Sequence, residues 1–391
     1  MSPAVVCQSV GTSVIVVAAL FWLGAACMLA LGLRRLKSLA DAVPLPNETL
    51  PSLTLIAAAK DEADRIEGAV RSFLTQDYPG LRIVVVDDRS VDGTGAILDR
   101  IALGAPRLQV IHVHTLPAGW IGKCHALARA SAAAKTDWLL FTDGDIELAP
   151  DAVRRAVSFA LQEKLDHLAV APDMIVESLG EAVFIGYFLA MFYLSQQPWR
   201  APNPRAKSSI GIGAFNLVRR AAYERSGGHE RIRYEMIDDL GLGKILKLSG
   251  ARQMLALHGG AVRARWQVGV WGLIRGVEKN AFAALRYRVW IALPAVASQF
   301  ACSLSPVVGL FLPDPTAKIA AVAAWIGAFT VYAVMSRGSR IRPWHALLMP
   351  IGGALFSFAI LRSIAFAVAR RGLVWRGTLY PLEELRRGML P

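Results

Sequence analysis

The sequence predicts an α/β domain with a mainly parallel sheet flanked by helices, together with membrane helices near both ends of the chain. Between residues 53 and 171, short apolar runs alternate with segments of helical periodicity, which is the pattern of βαβ units. Residues 11–33 form an apolar run without a charge, and further long apolar runs follow residue 288. A bilayer span takes about 20 apolar residues, so these runs predict membrane helices.

The composition agrees with a membrane protein that also carries a polar domain. Of the 391 residues, 54% are hydrophobic, yet 19% are charged. The net charge of +13 favours an anionic partner, such as a phosphate group or an anionic membrane surface. No run of Lys and Arg with interleaved aromatic residues occurs, so nucleic acid is not expected as a partner. The cysteines form no Cys-x-x-Cys pair, so neither a disulfide framework nor a zinc site is expected.

The first element is a transmembrane helix within residues 1–37. No Lys or Arg precedes its apolar run, whereas Arg34, Arg35 and Lys37 follow it at once. Because positive residues collect on the cytoplasmic side, this asymmetry places residue 34 in the cytoplasm. A cleaved signal peptide is the alternative, but it fits poorly, since the start of the chain lacks a positive charge and the apolar run is too long.

The second segment, residues 38–288, carries the α/β domain after a polar linker. Apolar runs predict its strands and periodic stretches predict its helices. The strands are predicted at Leu53–Ala59, Arg82–Val86, Leu108–Val113, Trp138–Thr142 and His167–Ala171. The helices are predicted at Ile66–Thr75, Gly93–Ile101, Lys123–Ala134 and from Pro150 to about Leu161, and mixed α/β character returns at 211–260.

The apolar run at residues 182–199 is short for a membrane span, and it fits a core helix and an interfacial helix equally well. The third segment, residues 289–391, holds apolar runs at about 289–312, 319–335 and 346–369, followed by a basic tail. If all three crossed the membrane, Arg370 and Arg371 would lie outside, against the positive-inside tendency. One run can therefore be re-entrant or interfacial, which leaves two or three C-terminal membrane helices.

Two carboxylates directly follow the strand predicted at Trp138–Thr142. Asp143 and Asp145 are separated by one glycine, so both can face the same side of an extended chain. The carboxyl end of such a strand is where open α/β sheets bind ligands. Carboxylate oxygens suit Mg²⁺ or Mn²⁺ and leave coordination positions open for phosphate oxygens. For the tripeptide alone, a solvated turn is the alternative.

Two further polar groups lie at neighbouring strand ends and helix starts. The second strand runs into Asp87 and Asp88, whose carboxylates can accept hydrogen bonds from a pyrimidine base or from ribose hydroxyls. Gly-Trp-Ile-Gly-Lys123 opens a helix, where N–H groups and the helix dipole favour a phosphate. The alternatives are a capped loop for the first group and a structural turn for the second.

A fourth polar group is the adjacent pair Asp238 and Asp239, flanked by apolar residues. Like charges this close tend to raise the pKa of one carboxyl, which suits a general base. The alternative is a helix N-cap with an acidic first turn, for a helix beginning near Leu240.

The order of these four groups resembles the family 2 glycosyltransferases, which have a GT-A fold and use nucleotide-sugar donors. The resemblance covers about residues 53–290. It implies a donor site at the first two strand ends. There, Lys60 and Glu62 follow the first strand, and Asp87 and Asp88 match the acids that contact uridine.

The same resemblance implies roles for the later acids. Asp143 and Asp145 match the Asp-x-Asp ligands of Mg²⁺ or Mn²⁺, with Asp143 also at the donor. Asp239 matches the catalytic base of a Glu-Asp motif, with Asp238 in the Glu place. The Gly-Trp-x-Gly-Lys and Ile-Asp-Asp stretches are most similar to lipid-directed bacterial members, such as hopanoid-associated and carotenoid glycosyltransferases and, more distantly, ceramide glucosyltransferases.

One motif departs from the family pattern. Processive synthases and ceramide glucosyltransferases carry Gln/Arg-x-x-Arg-Trp after the base, whereas this chain has Arg265-Trp266 with valine at position 262. The departure weighs against a processive synthase. Gly213 and Phe215 can line an acceptor channel together with Arg265 and Trp266, and close packing of a core strand is the alternative.

The expected reaction is an inverting transfer of a hexose from a UDP-sugar to a hydroxyl group of a membrane lipid. Asp239 takes the proton, a metal ion on Asp143 and Asp145 stabilises the diphosphate, and Lys123 adds positive charge to the leaving group. The expected location is the bacterial inner membrane, with a cytoplasmic catalytic domain. A processive polysaccharide synthase and a non-enzymatic nucleotide-binding membrane protein are the alternatives.

Overall fold

The computed structural model describes residues 3–390, which form two compact units. The helical unit comprises the chain up to Arg35 together with Val176–Gln197 and Trp266–Arg371. The α/β unit comprises Leu36–Ile175, Pro198–Arg265 and the segment from Gly372 onward. Each unit is therefore discontinuous in sequence, whereas the apolar runs suggested three consecutive segments.

Strands and helices are numbered separately along the chain. The strands are β1 (Leu53–Ala59), β2 (Arg82–Asp88), β3 (Leu108–Val113), β4 (Trp138–Asp143), β5 (Glu147–Leu148), β6 (His167–Ala171), β7 (Asp173–Met174), β8 (Asn216–Arg219), β9 (Gln253–Leu257), β10 (Val262–Ala264), β11 (Gly372–Trp375) and β12 (Thr378–Pro381). The helices are α1 (Pro3–Leu33), α2 (Ile66–Leu74), α3 (Thr94–Ala102), α4 (Gly122–Ala133), α5 (Ala152–Gln162), α6 (Leu179–Gln196), α7 (Arg220–Ser226), α8 (Gly228–Arg231), α9 (Asp238–Leu248), α10 (Gly269–Ala284), α11 (Val289–Phe311), α12 (Pro315–Met335), α13 (Met349–Ala369) and α14 (Leu382–Gly388). The strands and helices predicted between residues 53 and 171 are all present, with ends within two residues of the prediction.

The α/β unit is built on a seven-stranded sheet in the order β3-β2-β1-β4-β8-β6-β9. β8 pairs antiparallel with β4 and β6, and the other pairs are parallel. This confirms the predicted mainly parallel sheet flanked by helices. The strand order reverses between β1 and β4, because β2 and β3 lie on one side of β1 and β4 lies on the other. At such a switch point the carboxyl ends of the two strands leave a crevice for a ligand.

Both faces of this sheet are covered, which explains the continuous apolar runs of its strands. In β4, Leu140 packs into the core on one face and Phe141 into the core on the other. α2 supplies Ile66, Val70 and Phe73 to the Leu140 side, at the four- and three-residue spacing of one helix face. Fully burying each such side chain contributes about 1.5–3 kcal/mol, so this packing holds the strand ends in place.

The helical unit contains helices that are long and apolar enough to cross a membrane. Among the residues that the structure describes, the candidate spans are Gln8–Leu33, Leu179–Arg200, Val289–Phe311, Pro315–Met335 and Pro343–Ala369. Each apolar run identified in the sequence therefore forms a helix.

Contacts between side chains show that α1 and α12 run parallel. Near their starts, Thr12 Oγ1 donates to Asp314 Oδ2 at 2.6 Å. Further along both helices, Gly327 approaches the backbone of Trp22 so closely that a Cβ at position 327 would lie 2.5 Å from the carbonyl carbon of Trp22. The two helices therefore begin on one side of the unit and end on the other.

α11 runs opposite to α1. Trp22 Nε1 donates to the carbonyl oxygen of Cys302 at 3.0 Å, and a Cβ on Gly309 would lie 3.0 Å from the side chain of Ile15. As the residue numbers increase along α1, the residue numbers of the contacting positions on α11 decrease. α11 therefore begins on the side where α1 and α12 end.

α13 also runs opposite to α11. Gln299 Nε2 donates to Ser357 Oγ at 2.9 Å, and a Cβ on Gly353 would lie 2.4 Å from Ser303 Oγ. α12 and α13 therefore run in the same direction although they follow one another in the chain. The connection at residues 336–348 therefore runs back along the helical unit, and α13 ends on the side of that unit where α12 ends.

Candidate active site

The predicted acidic and basic residues meet at the crevice between β1 and β4. Asp143 ends β4, and Ala58 of β1 is its neighbour in the sheet register. The N-termini of α4 and α9 bring Lys123 and Asp238 to the same place. Segments far apart in sequence thus converge at the edge of the sheet where α/β folds bind ligands.

A lysine lies between the acidic groups. Lys123 Nζ is 2.7 Å from Asp143 Oδ1 and 3.0 Å from Asp238 Oδ2. Burial alone lowers the pKa of Lys123, but the surrounding carboxylates, above all that of Asp143, outweigh burial and hold the pKa well above its usual value. The ammonium group is therefore charged, and it links the end of β4 to the start of α9.

Asp145 lies beside a different cation. Its Oδ2 is 3.3 Å from Arg65 Nη1, which also donates to the carbonyl oxygen of Arg265 at 3.2 Å. Burial and the nearby charges of Asp143 and Glu62 raise the pKa of Asp145 to about 6. Asp143 and Asp145 thus place carboxylate oxygens close together at the end of β4, and such oxygens suit a divalent cation.

Asp239 has partners unlike those of its neighbour Asp238. Its Oδ2 accepts from the N–H of Gly213 at 2.8 Å, and its Oδ1 accepts from the N–H of Leu240 at 2.8 Å. Asp239 is half-buried, whereas Asp238 is only 8% exposed. Burial and the charge of Asp238 raise the pKa of Asp239 to about 6. Asp239 thus offers a partly accessible carboxylate with an increased affinity for a proton.

Close backbone packing holds Asp239 at this position. A Cβ on Gly211 would lie 1.8 Å from the carbonyl oxygen of Asp239, so only glycine allows the two segments to approach. A Cβ on Gly213 would lie 2.8 Å from Asp143 Oδ2. The short segment 211–213 therefore joins the acid at the end of β4 to the acid at the start of α9.

The acids at the end of β2 are buried and paired within the protein. Asp87 Oδ2 is 3.1 Å from His112 Nδ1. Asp88 accepts from Arg89 twice, from Nε at 2.8 Å and from Nη2 at 2.9 Å. A Cβ on Gly122 would lie 2.4 Å from Asp88 Oδ2, which explains why α4 begins with a glycine here. The sequence patterns did not single out His112 or Arg89, because neither belongs to a motif.

The loop after β1 is tied to the loop after β2 and to the C-terminal tail. Lys60 Nζ donates to the carbonyl oxygen of Arg89 at 2.8 Å. Arg376 donates to the carbonyl oxygens of Lys60 and Asp61 and to the carboxylate of Glu62. The sequence identified the tail only as basic, so Arg376 was not placed at this site.

The residues predicted for an acceptor region lie in different surroundings. Phe215 is fully buried in the core of the α/β unit, in agreement with the packing alternative. Arg265 belongs to the α/β unit, where its carbonyl oxygen accepts from Arg65. Trp266 belongs to the helical unit, where its ring packs on that of Phe188 with centroids 4.5 Å apart.

The mainly parallel sheet, its switch point and the Asp-Gly-Asp segment at the end of β4 are the features expected of a GT-A fold. Residues 54–227 match the family model described as Glycosyl transferase family 2. This match, over somewhat less than half of the chain, agrees with the resemblance that the motifs predicted.

Curated relatives agree with this family. The chain is 27% identical over 194 residues to 4,4'-diaponeurosporenoate glycosyltransferase of Staphylococcus aureus, a match that covers 49% of this chain and 50% of the relative. It is 32% identical over 132 residues to beta-monoglucosyldiacylglycerol synthase of Synechocystis sp., covering 33% of this chain and 27% of the relative. The matched part thus spans about half the length of the first relative and about a quarter of the second.

A solved structure shares the fold. The mannosyltransferase PcManGT from Pyrobaculum calidifontis, in complex with GDP-Man and Mn²⁺, superposes with a TM-score of 0.55. The match covers 92% of this chain and 98% of that chain at 19% sequence identity. At this identity the similarity shows a common fold.

The fold family implies a divalent cation, and two acids in the crevice fit one. Within residues 3–390, no group of three or more His, Cys, Asp or Glu side chains is placed to hold a metal ion by itself. Asp143 and Asp145 fit nevertheless, because Mg²⁺ at nucleotide sites is commonly held by one or two carboxylates, with phosphate oxygens completing the shell. The charge of Asp143 contributes, after burial, to the raised pKa of Asp145, which shows that the two carboxylates lie close to one another.

Proposed function

We propose that this protein is a membrane-bound, inverting glycosyltransferase that moves a sugar from a nucleoside diphosphate sugar to a hydroxyl group of a lipid, with a UDP-sugar as the donor. The observation that carries the proposal is the placement of Asp239. Its half-buried carboxylate is joined through Gly213 to Asp143 at the end of β4. An acid with an increased proton affinity therefore lies beside the acids that suit a diphosphate-bound cation.

In the proposed reaction, Asp239 is the general base. It takes the proton of the acceptor hydroxyl while the hydroxyl oxygen attacks the anomeric carbon and the bond to the nucleoside diphosphate breaks. The N–H groups of Gly213 and Leu240 orient the carboxylate, and each carboxylate oxygen keeps a second lone pair for the proton. A general base contributes typically about 10²–10⁴-fold to the rate.

Asp143, Asp145 and Lys123 serve the leaving group in this proposal. A Mg²⁺ or Mn²⁺ ion held by Asp143 and Asp145 supplies Lewis-acid stabilisation of the departing phosphate oxygens when it is bound. Lys123 holds Asp143 in place and adds a fixed positive charge at the same edge of the sheet. Asp87, Asp88, Lys60 and Glu62 are assigned to the nucleoside part of the donor by their position at the first two strand ends.

The stereochemical outcome follows from the use of one base. If Asp239 activates the acceptor directly, the sugar is displaced once and its anomeric configuration inverts. A donor with an α-linked sugar should therefore give a β-linked product, which NMR spectroscopy of the purified product measures. An α-linked product would contradict the assignment of Asp239.

The lipid acceptor is supported by two observations. Helices long and apolar enough to cross a membrane precede the first segment of the α/β unit and lie between its segments. The two curated relatives carry diaponeurosporenoate and diacylglycerol in their names. Mass spectrometry of lipid extracts from cells that express the wild type or Asp239→Asn tests the acceptor class. A sugar-bearing lipid found only with the wild type supports the proposal, whereas a lipid-free polymer would indicate a polysaccharide synthase.

The location in the membrane forms part of the same proposal. The α/β unit and the tail lie together in the cytoplasm, α1, α11 and α12 cross the membrane, and residues 336–369 re-enter it. α6 lies between β6 and β8 in sequence, yet these two strands pair in one sheet. The chain is therefore on the same side of the membrane before and after α6. The tail belongs to the α/β unit as well, so an even number of crossings separates it from Arg265.

This arrangement removes the conflict that three C-terminal spans would create. The crossings of α11 and α12 supply the even number, and α13 enters and leaves on one side. Most basic residues beside the membrane helices then lie on the cytoplasmic side, in agreement with the positive-inside tendency; these are Arg34, Arg35, Lys37, Arg337, Arg340, Arg342, Arg370 and Arg371, whereas Lys318 at the start of α12 lies on the other side.

Protease sites inserted into the chain test the arrangement in intact cells. A site in the 38–50 linker and a site after Pro391 should both be protected from external protease. A site between Leu312 and Asp314, at the α11–α12 connection, should be cleaved. External cleavage of the C-terminal site would show that α13 crosses the membrane.

A further inference from the structure

The C-terminal tail folds against the α/β unit instead of extending from it. β11 and β12 form an antiparallel hairpin, here named the tail hairpin (residues 372–381), and α14 follows it. Leu373 and Tyr380 of this hairpin are buried. At its turn, Arg376 and Gly377 have φ angles of 48° and 76°, and two successive positive φ angles are typical of a tight type I′ turn. The turn presents the Arg376 side chain to the sheet edge that carries the candidate active site.

Arg376 makes its contacts with the loop that follows β1. Its guanidinium donates to the carbonyl oxygens of Lys60 and Asp61 and to the carboxylate of Glu62. A guanidinium has five N–H donors in a fixed planar arrangement, so a single side chain can hold a whole loop. The same contact compensates the charge of Glu62, which would otherwise repel an anionic ligand.

The tail hairpin also contacts the two other segments assigned to the donor. Arg89, in the loop after β2, donates from Nη1 to Thr378 Oγ1 at 3.4 Å. The N–H of Gly122, at the start of α4, donates to the hydroxyl oxygen of Tyr380 at 3.1 Å. The loop after β1, the loop after β2 and the start of α4 are therefore all in contact with the tail hairpin.

Backbone strain is concentrated at these contacts. Of the eight non-glycine residues with positive φ between residues 3 and 390, three meet here: Asp61 at 53°, Arg89 at 61° and Arg376 at 48°. Such conformations are unfavourable for residues with a Cβ, and they persist where the surroundings hold them. The hydrogen bonds of Arg376 to the β1 loop are a part of those surroundings.

We propose that the tail hairpin is a positioning element of the donor site, in which Arg376 holds the β1 loop and Tyr380 holds the start of α4 in the arrangement that binds a nucleoside diphosphate. The inference rests on the proposed function, since it takes these loops as the donor site. The inference adds that the segment after α13, the last apolar helix, contributes to binding of the donor in addition to being basic.

Binding of UDP and of GDP to the full-length protein in detergent, in the presence of Mn²⁺, tests this proposal. Arg376→Ala should weaken binding of the better ligand by about tenfold or more, because charge-assisted hydrogen bonds to the β1 loop are lost. Arg376→Lys should recover part of the affinity, since an ammonium can meet Glu62 but cannot serve two carbonyls in the same plane. Tyr380→Phe keeps the buried ring and should weaken binding by about threefold.

Arg387→Ala is the matched control. This arginine lies in the same tail and pairs with Glu383 one helical turn away, and both side chains are about three-quarters exposed. Its removal should leave the UDP and GDP affinities unchanged. Thermal unfolding should place all variants within about 3 °C of the wild type, which separates a binding effect from a loss of stability.

In sugar transfer, a positioning role predicts a raised donor KM for Arg376→Ala with a kcat close to that of the wild type. Unchanged affinity in folded Arg376→Ala and in Tyr380→Phe would overturn the proposal, and if Arg376→Ala does not fold, Tyr380→Phe decides alone. The proposed function fails separately: a wild type that binds UDP or GDP but transfers no sugar would refute the reaction, and the same binding series would still decide the role of the tail hairpin.

Discussion

Asp87-Asp88 and Asp238-Asp239 are both pairs of adjacent aspartates, yet their surroundings differ in kind. Asp87 and Asp88 are 8% and 4% exposed, and they face an imidazole and a guanidinium. Asp239 is half-buried, and its two oxygens face backbone N–H groups. The two pairs are identical in sequence, and the fold gives them different chemical surroundings.

The secondary structure explains this difference. Asp87 and Asp88 end a strand, so their side chains point to opposite faces and each meets its own partner. Asp238 and Asp239 begin a helix, where the two carboxylates stay close and that of Asp238 pairs with the ammonium group of Lys123. Burial and the neighbouring charge of Asp238 raise the affinity of Asp239 for a proton. The first pair therefore suits binding and the second suits proton transfer.

The largest effect on sugar transfer is expected at Asp145, the acidic residue outside the two pairs that the proposed reaction also needs. Asp145→Ala should lower sugar transfer by about 10³-fold or more, because Lewis-acid stabilisation of a leaving phosphate is worth several kcal/mol. The variant should still fold, since Asp145 lies at the edge of the sheet. Excess EDTA should have the same effect on the wild type, and full activity in EDTA would refute the metal assignment.

Removing the cation shared by two acids should change stability. Lys123→Met leaves Asp143 and the buried Asp238 without their common partner, and because Lys123 and Asp143 are partly exposed, the expected loss of stability is about 1–3 kcal/mol. Thermal or denaturant unfolding in detergent measures the loss. The double variant Lys123→Met/Asp238→Asn should regain part of it, and a double variant no more stable than Lys123→Met would contradict the pairing.

The pH dependence of transfer reports the raised pKa of Asp239. A general base must be deprotonated, so the transfer rate should fall about tenfold for each pH unit below about 6 and level off above it. Asp238→Asn removes a negative charge that raises this pKa, so the falling limb should move to lower pH. If the acidic limb of the pH–rate profile stays at the same pH in Asp238→Asn, a group other than Asp239 controls the transfer rate.

The smallest effect is expected at the binding pair. His112→Gln removes the imidazole beside Asp87 and should weaken UDP binding by about threefold, with little change in kcat. Asp99→Asn is the control, because Asp99 holds the other ring nitrogen of His112 and is largely exposed. A loss of kcat in His112→Gln comparable to that of a base variant would end the distinction between the two pairs.

Much of the sheet was predictable, because its signals are local. Three apolar runs form strands with the predicted bounds, namely Leu53–Ala59, Leu108–Val113 and His167–Ala171. Their buried position on both faces produces the unbroken apolar runs from which they were predicted. The acidic groups were predictable for a related reason, since each interrupts the chain directly after an apolar run or before a helix.

The contacts that organise the site were not predictable. The ion pair of Lys123 with Asp143 and the approach of Gly213 to Asp239 join segments that only the complete fold brings together. The tail hairpin was missed because its strands are four residues long, too short for periodicity to reveal. A local signal did exist in Arg376-Gly377, a glycine-containing pair between Trp375 and Thr378, since such pairs between β-forming residues are typical of a tight hairpin turn.

The central claim, that Asp239 transfers the proton while Asp87 and Asp88 bind the donor, is tested most directly by measuring UDP affinity and single-turnover transfer for Asp239→Asn and Asp87→Asn side by side. Asp239→Asn should lose about 10²–10⁴-fold in transfer and bind UDP almost as well as the wild type. Asp87→Asn should lose affinity first, and Asp238→Asn should be milder than Asp239→Asn in transfer. Transfer by Asp239→Asn at the wild-type rate would exclude it as the base, and loss of UDP binding without a separate effect on transfer would assign it to the nucleotide site.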